Sequence, residues 1–565
     1  MSSNADFFKR RRAGILLHPT SLPGSPGNGD LGRQAYRFID FLADCGISIW
    51  QMLPLGPPHE DLSPYQCQSV HAANPLLISL ERLIETGWLS EGSIPTSEPE
   101  LRHELRRLAQ QGWYSEESEE RELAQRLEHT PFREGFCPQP ENEVAISYRH
   151  ARLKEARAGF EKYASEIDRT AYAEFIKNQA HWLEDYALFR ALQAEHLKAL
   201  KIECLKALKE IQHQDALRAR LIELRDLAGW WGWPSKLRDR QPKALAEAQQ
   251  RLSAIIEQHR FEQFVFFSQW HDLKQYAHEH NVYLFGDIPI FVAQDSVDVW
   301  AERENFLLDA QGQPTVVAGV PPDYFSATGQ RWGNPHYNWN VMQANDFNWW
   351  IERLKSAQLL FDMARIDHFR GFEACWAIPA SCETAIEGEW VKVPGDALFE
   401  KLRQIGTLPL VAEDLGVITD EVRTLRDKFG LPGMKILQFA FDGGNDNPYL
   451  PHNHIENCVV YTGTHDNNTT LGWFQEIPTS TQQYVCEYLH APPYDMPWPL
   501  IESAFASVAQ LAIVPMQDVL ALDGHHRMNV PGVPTGNWRW RFDWAQMPAG
   551  ATDKLRHFTN FYGRS

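Results

Sequence analysis

Arg365, Asp367, His368 and Arg370 fall within six positions of "MARIDHFRGFE" (363–373), just after Leu359-Leu360-Phe361, a run that reads as buried strand. Side chains alternate along a strand, so Arg365 and Asp367 share one face. A guanidinium beside a carboxylate lowers its pKa and holds it ionised, as a carboxylate nucleophile attacking a sugar carbon requires. Taken alone, such a pair is better read as a structural link closing the strand end. A second apolar run, "LPLVAEDLG", ends in Glu413 and Asp414. At the mouth of a closed site and near other acids, Glu413 would have its pKa raised, which makes a general acid. Two carboxyls whose pKa values are pushed apart are the device of glycoside cleavage, about 5–5.5 Å apart for retention and above about 6.5 Å for inversion. Asp466, beside His465 in "YTGTHDNNTT", is a third acid able to hold sugar hydroxyls and stabilise an oxocarbenium-like transition state; alone it is equally an N-cap before a helix.

A stretch rich in aromatic residues supplies what else a sugar site needs. Tyr324, Phe325, Trp332, Tyr337 and Trp339 offer flat apolar faces for the C–H faces of glucose rings, while Asp323 and Gln330 can take hydroxyls. Metal-ligand spacing is missing: "HNH" at His452–His454 and "GHH" at 524–526 lack the i, i+4 pattern. No Walker or dinucleotide glycine pattern follows an apolar run, and no GxSxG elbow is present. The expectation is chemistry without metal or cofactor.

These acids must be brought together by the elements that carry them. Apolar runs at 14–21, 47–55, 282–291, 359–367, 408–414, 434–441, 458–466 and 511–520 read as eight strands, with amphipathic helices in several gaps. "LGRQAYRFIDFLADCG" places Leu31, Ala35, Phe38, Ile39 and Leu42 on one face and stops at Gly46; "TDEVRTLRDKFG" opens on Thr-Asp and closes at Gly430. His18, Asp287, Asp367, Glu413 and Asp466 each end or nearly end a run. Polar residues crowding the C-terminal ends of many strands favour a closed (β/α)₈ TIM barrel over an open sheet. About two hundred residues separate the second run from the helix near Phe261, far beyond a βα connection of about 2 to 6. The expected division is a barrel from 1–60 and 261–565, a mainly helical insertion at 61–260, and an ordered loop subdomain at 292–350 covering the site. The charge run "SEESEERE" reads as solvated surface.

The 565 residues carry a formal net charge of -20, which disfavours nucleic acid and anionic membranes and suits a neutral ligand. The N-terminal apolar run "GILL" is too short for a signal peptide, and the eight cysteines lack CxxC spacing, so a cytoplasmic location is expected.

The blocks "LLHPTSLPG", "LSPYQ", "WWGWPSKLR", "GDIPIFVAQDSVDVW", "GVPPDYFSATGQRWGNPHYNW", "ARIDHFRGFE", "VAEDLG", "TGTHDNNT" and "RMNVPGVPTGNWRWR" closely resemble the 4-alpha-glucanotransferases (amylomaltases, disproportionating enzymes; glycoside hydrolase family 77), relatives of the α-amylase clan. They run from residue 15 to beyond 540. The resemblance implies a (β/α)₈ barrel with inserted subdomains and no C-terminal β-sandwich. It also implies cofactor-free, retaining transfer of α-1,4-glucan segments from maltooligosaccharides or starch to glucose or another glucan, by a monomer or homodimer. By the same likeness Asp367 is the nucleophile, Glu413 the acid/base and Asp466 the transition-state stabiliser. Arg365, His465, Tyr65, Ser63 and Asp287 would line the cleaved glucose, Asp323, Gln330 and Trp332 would sit in the loop over bound glucan, and Asn529 matches a further contact. Two rivals are an α-1,4-glucan hydrolase sharing the three acids and a non-catalytic glucan-binding protein.

Overall fold

Short apolar stretches set the architecture of the computed structural model, which describes residues 8–24, 27–94, 100, 140–211, 213–322, 326–406, 408–533 and 535–565. Its strands are β1 (Arg12–Leu16), β2 (Ile49–Gln51), β3 (Tyr283–Ile288), β4 (Val316–Val320), β5 (Gln330–Pro335), β6 (Met363–Ile366), β7 (Ala374–Pro379), β8 (Glu389–Lys392), β9 (Leu410–Ala412), β10 (Gly433–Ile436), β11 (Cys458–Tyr461) and β12 (Leu511–Pro515). Eight of them form one parallel sheet in the order β10-β11-β12-β1-β2-β3-β6-β9. The Ala412 N–H donates to Pro432 O at 2.8 Å, bringing β9 back to the start of β10 and closing a (β/α)₈ barrel. All eight are the runs read as strands in the sequence.

Alternation along each strand fills the barrel. Ile49, Phe285, Met363, Val411, Val459 and Ile513 point inward and pack into one apolar cluster. Gly14 lies in this interior: a Cβ there would sit 2.5 Å from Ile513 Cδ1 and 2.7 Å from Ile49 Cβ. Outside, the helix Arg33–Asp44 buries Ala35, Phe38, Ile39 and Leu42 and gives way to Gly46 at φ +70. The helix Asp420–Lys428 follows an N-cap at Thr419, as its sequence signals.

Strand boundaries differ from the sequence reading in an instructive way. Leu359 and Leu360 are not strand: they close the helix Asn348–Leu360, whose buried Ile351, Leu354 and Ala357 recur at helical spacing, and Leu359 is 54 % exposed. Leu437–Phe439 and Met516–Val519 likewise turn into helical segments directly after β10 and β12. A short apolar run does not by itself separate strand from buried helix end.

The long connection after β2 runs through turns and short helical segments to residue 94 and is mainly helical from residue 140, with helices Pro140–Tyr163, Glu166–Glu210, Gln214–Asp226 and Ser253–Glu279. Ser165 and Asp168 form a capping box at the start of the 45-residue helix. Ser253–Glu279 runs through the expected boundary at 260/261 as one continuous helix, and Trp270 Nε1 on it donates to Leu360 O at 2.9 Å. "SEESEERE" lies outside the described residues.

The aromatic segment expected as loop contains the β4–β5 hairpin, which joins β7 and β8 from the next barrel connection in an antiparallel sheet ordered β5-β4-β7-β8. Pro, Gly and Asn obscured these strands: the register shifts between Val317 and Gly319, and pairing with a distant segment supplies what local propensity lacks. After β12 the described residues form short helical and irregular segments ending in the helix Ala551–Phe561. Among the described residues, no helix is long and apolar enough to cross a membrane.

The tight approach at Gly14 gives a direct test of barrel packing. Gly14→Val should destabilise the protein by about 1–3 kcal/mol through overpacking, despite the higher strand propensity of valine. Thermal unfolding followed by calorimetry should show a lower Tm; an unchanged Tm would mean the interior has slack at this level.

Candidate active site

Register explains why charges gather at one end of the barrel. Asp287 on β3 pairs with Arg365 on β6, and Arg365 pairs with Val411 on β9. Phe285 and Met363 pair in the apolar interior, Asp287, Arg365 and Val411 pair one inward position further on, and Asp367 and Glu413 follow two residues beyond Arg365 and Val411. The apolar runs make the barrel and their charged ends make its floor.

Arg365 is the hub. Its Nε donates to Asp287 Oδ1 at 3.0 Å, and its Nη2 reaches Asp287 Oδ2 at 2.7 Å, Asp367 Oδ1 at 2.8 Å and the Tyr65 hydroxyl at 3.0 Å. Tyr65 OH in turn donates to Asp287 Oδ2 at 2.6 Å. The Arg365 and Asp287 side chains are only 6 % and 1 % exposed, so the forked pair is the structural link, while Asp367 is 32 % exposed and faces the opening. Both oxygens of Asp287 are thus engaged by protein groups. Ser63 lies in the turn that presents Tyr65: its Oγ accepts the Tyr65 N–H at 3.3 Å and its own N–H donates to Asp61 Oδ1 at 3.0 Å.

Glu413 is held by backbone. Its Oε2 accepts the His368 N–H and its Oε1 the Leu415 N–H, each at 2.8 Å. His368, directly after Asp367, takes a left-handed conformation at φ +50, which is uncommon for a bulky residue and turns its N–H toward Glu413. Phe369 N–H to Glu413 O and Glu413 N–H to Ile366 O stitch the two strand ends together. Asp414 points the other way, bridging Met434 N–H and Arg426 across the β9–β10 seam.

Asp466 receives Asn529 Nδ2 at 2.6 Å on Oδ1, and His465 Nε2 lies 3.3 Å from Oδ2. It is not the N-cap of the following helix; that is Thr469, whose hydroxyl accepts Gly472 N–H. Its side chain is 48 % exposed.

Burial and charge separate the acids. Burial first, and then the charge of Asp367, push Glu413 up to about 8. Burial also raises Asp367; Arg365 opposes the rise and the charge of Asp466 adds to it. The net direction corrects the sequence reading, in which the arginine alone put Asp367 below its ordinary value: that guanidinium is shared with Asp287, so only part of its charge offsets burial at Asp367. Burial would weaken the hold of Arg365 on its proton, but the charges around it, Asp287 foremost, keep its pKa well above the ordinary value. His465 is pushed down by burial, with Asp466 opposing, and His18 to about 3 by burial and by His465, so neutral imidazoles border the pocket.

Of the aromatic residues, Trp332 on β5 stands edge-on to His368 at 4.9 Å, and its Nε1 donates to the exposed Gln330 at 3.1 Å. Tyr337 is core and not platform: it is 2 % exposed, stacks on Phe291 and donates to Ile290 O at 2.6 Å. Trp339 packs against Tyr337 and Trp350. Asp323, Tyr324 and Phe325 lie outside the described residues. The structure brings together Asp367, Arg365, Asp287, Tyr65, Glu413, His465, Asp466 and Asn529. Sequence reasoning gave no role to Trp538, whose ring lies 5.9 Å from that of Tyr65 and 5.8 Å from that of His465. Trp538 stands in "RMNVPGVPTGNWRWR", a block read only for the family resemblance.

Comparison with known proteins follows the same line. A family profile described as 4-alpha-glucanotransferase matches residues 17–546. The 4-alpha-glucanotransferase of Thermus thermophilus is 46% identical over 94% of each chain, and that of Synechocystis sp. is 43% identical over 98% of each. Among solved structures, the amylomaltase from Streptococcus agalactiae in complex with acarbose superposes with a TM-score of 0.81 at 32% identity, covering 98% of this chain and all of that one. With its barrel, its cluster of acids and this likeness along nearly its whole length, the chain belongs to the 4-alpha-glucanotransferase family, glycoside hydrolase family 77.

Proposed function

We propose that the protein moves α-1,4-glucan segments from a maltooligosaccharide donor to the 4-hydroxyl of glucose or another glucan, by retaining double displacement at Asp367. The observation that carries this reading is the separation of two neighbouring carboxyls: Glu413 pushed up to about 8, and Asp367 bonded to a guanidinium that stays charged. At neutral pH the first is an acid and the second a nucleophile.

In the first step Asp367 attacks the anomeric carbon while Glu413 protonates the departing oxygen. In the second, Glu413 takes the proton of the acceptor hydroxyl as that oxygen displaces Asp367. Asp466, braced by Asn529 and close to His465, stabilises the positive charge that develops on the ring. Asp287 acts by fixing Arg365 and Tyr65, and Ser63 by shaping the turn under Tyr65. Trp332 and Gln330 are placed to meet a sugar beside His368, and Asp323 is proposed as a further glucan contact. The acarbose bound by the Streptococcus agalactiae amylomaltase supports a saccharide ligand for this pocket. A cytoplasmic location is part of this proposal, and the free thiols of the seven described cysteines are consistent with a reducing compartment.

Two outcomes follow. Maltotriose should yield glucose and longer oligosaccharides with a constant total of reducing ends, and Asp367→Asn should lower kcat by at least about 10³-fold; equal disproportionation by both proteins would remove the nucleophile assignment. The pH profile of kcat/KM should fall on the alkaline side as Glu413 loses its proton near 8, and on the acid side as Asp367 gains one above its ordinary 3.8. With α-glucosyl fluoride, a donor that needs no acid, Glu413→Gln should retain glycosylation and lose the alkaline limb. An alkaline limb that persists in that variant would assign it to another group.

A further inference from the structure

Trp538 adopts φ +65, a conformation that bulky side chains rarely hold unless their surroundings require it. Its N–H donates to Met528 O at 2.8 Å, and the neighbouring Asn537 both accepts Val530 N–H at 2.9 Å and donates to Val533 O at 2.8 Å. The segment beginning at Met528 is therefore closed on itself at Trp538. Its two ends reach neighbouring groups of the site. Asn529 bonds Asp466, while Trp538 lays its ring at 50° to Tyr65 and 39° to His465, which stack on each other at 5.2 Å and 14°. Tyr65 continues through its hydroxyl to Asp287 and Arg365, and Arg365 to Asp367. Trp538 is half-buried, and the His465 side chain, whose ring lies 5.8 Å from the indole, is 5 % exposed.

We propose that Trp538 is a positioning residue that sets the partition between glucan transfer and hydrolysis, by holding the Tyr65–His465 pair against the sugar and keeping water from the glycosyl-enzyme. This rests on the transferase reading above. In the deglycosylation step the C1–O bond to Asp367 breaks, a new C1–O bond forms to the incoming hydroxyl, and that hydroxyl's proton goes to Glu413. Water and a sugar hydroxyl satisfy the same balance, so only access and orientation choose between them. A strained backbone at 538 carries the ring to the one place where it touches both Tyr65 and His465. A glycine would hold the same φ with less strain and no ring.

That contrast supplies the experiment. Native protein, Trp538→Gly, Trp538→Ala and Trp538→Phe are incubated with maltotriose, total reducing ends report hydrolysis, longer oligosaccharides report transfer, and thermal unfolding reports folding. Trp538→Gly should keep or raise the Tm yet increase the hydrolytic share about tenfold, with transfer kcat falling about 10- to 100-fold and KM moving far less. Trp538→Ala should show the same partition, and Trp538→Phe should restore most of the native one. A native-like partition in folded Trp538→Gly and Trp538→Ala would overturn the role given to Trp538 alone. A native protein that raises reducing ends without making longer products would overturn the transferase reading beneath it.

Discussion

One buried guanidinium has to serve two carboxylates and a phenol, and the rest of the site is arranged around that demand. Arg365 gives Asp287 a two-point fork and shares one nitrogen with Asp367 and Tyr65. Leaving Asp287 buried without this partner would cost about 3–5 kcal/mol, so the fork is structural. What remains of the charge is directed at Asp367, the one member of the group that faces the opening. The guanidinium opposes the rise that burial gives Asp367, and the charge of Asp367 in turn raises Glu413.

The barrel makes this arrangement repeatable. Inward positions two residues apart belong to successive layers, so the register that pairs Phe285 with Met363 sets Asp287, Arg365 and Val411 level above them, and Asp367 and Glu413 follow at the mouth. Backbone then sets the acid. A left-handed His368 aims its N–H at Glu413, and Leu415 closes the other oxygen. Asp466 arrives from β11 and is fixed by Asn529 from beyond β12, so the third acid depends on a segment far away in the chain.

How much of this could be read from residues alone follows from where each interaction lives. The eight strands were legible because their apolar runs are local, and Arg365 with Asp367 because strand alternation is local. The Arg365–Asp287 fork was not, since nothing in either segment specifies the parallel register that aligns them. For the same reason the reading overestimated what Arg365 does for Asp367: it counted one carboxylate where the fold supplies two. The end of the helix at Leu359-Leu360 was misread because a buried helix terminus and a buried strand look alike over three residues. Tyr337 was misread as a platform because its burial comes from Phe291 and Ile290, outside its own segment. The β4–β5 and β7–β8 pairing was hidden because it joins two separate barrel connections. The position of Trp538 depends on a backbone conformation that composition does not announce.

The account stands on the charge order of two carboxyls, and infrared difference spectroscopy of the free enzyme across pH reads that order directly. A protonated carboxyl band should be present at neutral pH, disappear as pH rises through about 8, be missing from Glu413→Gln, and titrate at lower pH in Asp367→Asn. A neutral-pH band that survives in Glu413→Gln and vanishes in Asp367→Asn would place the proton on Asp367 and contradict the account.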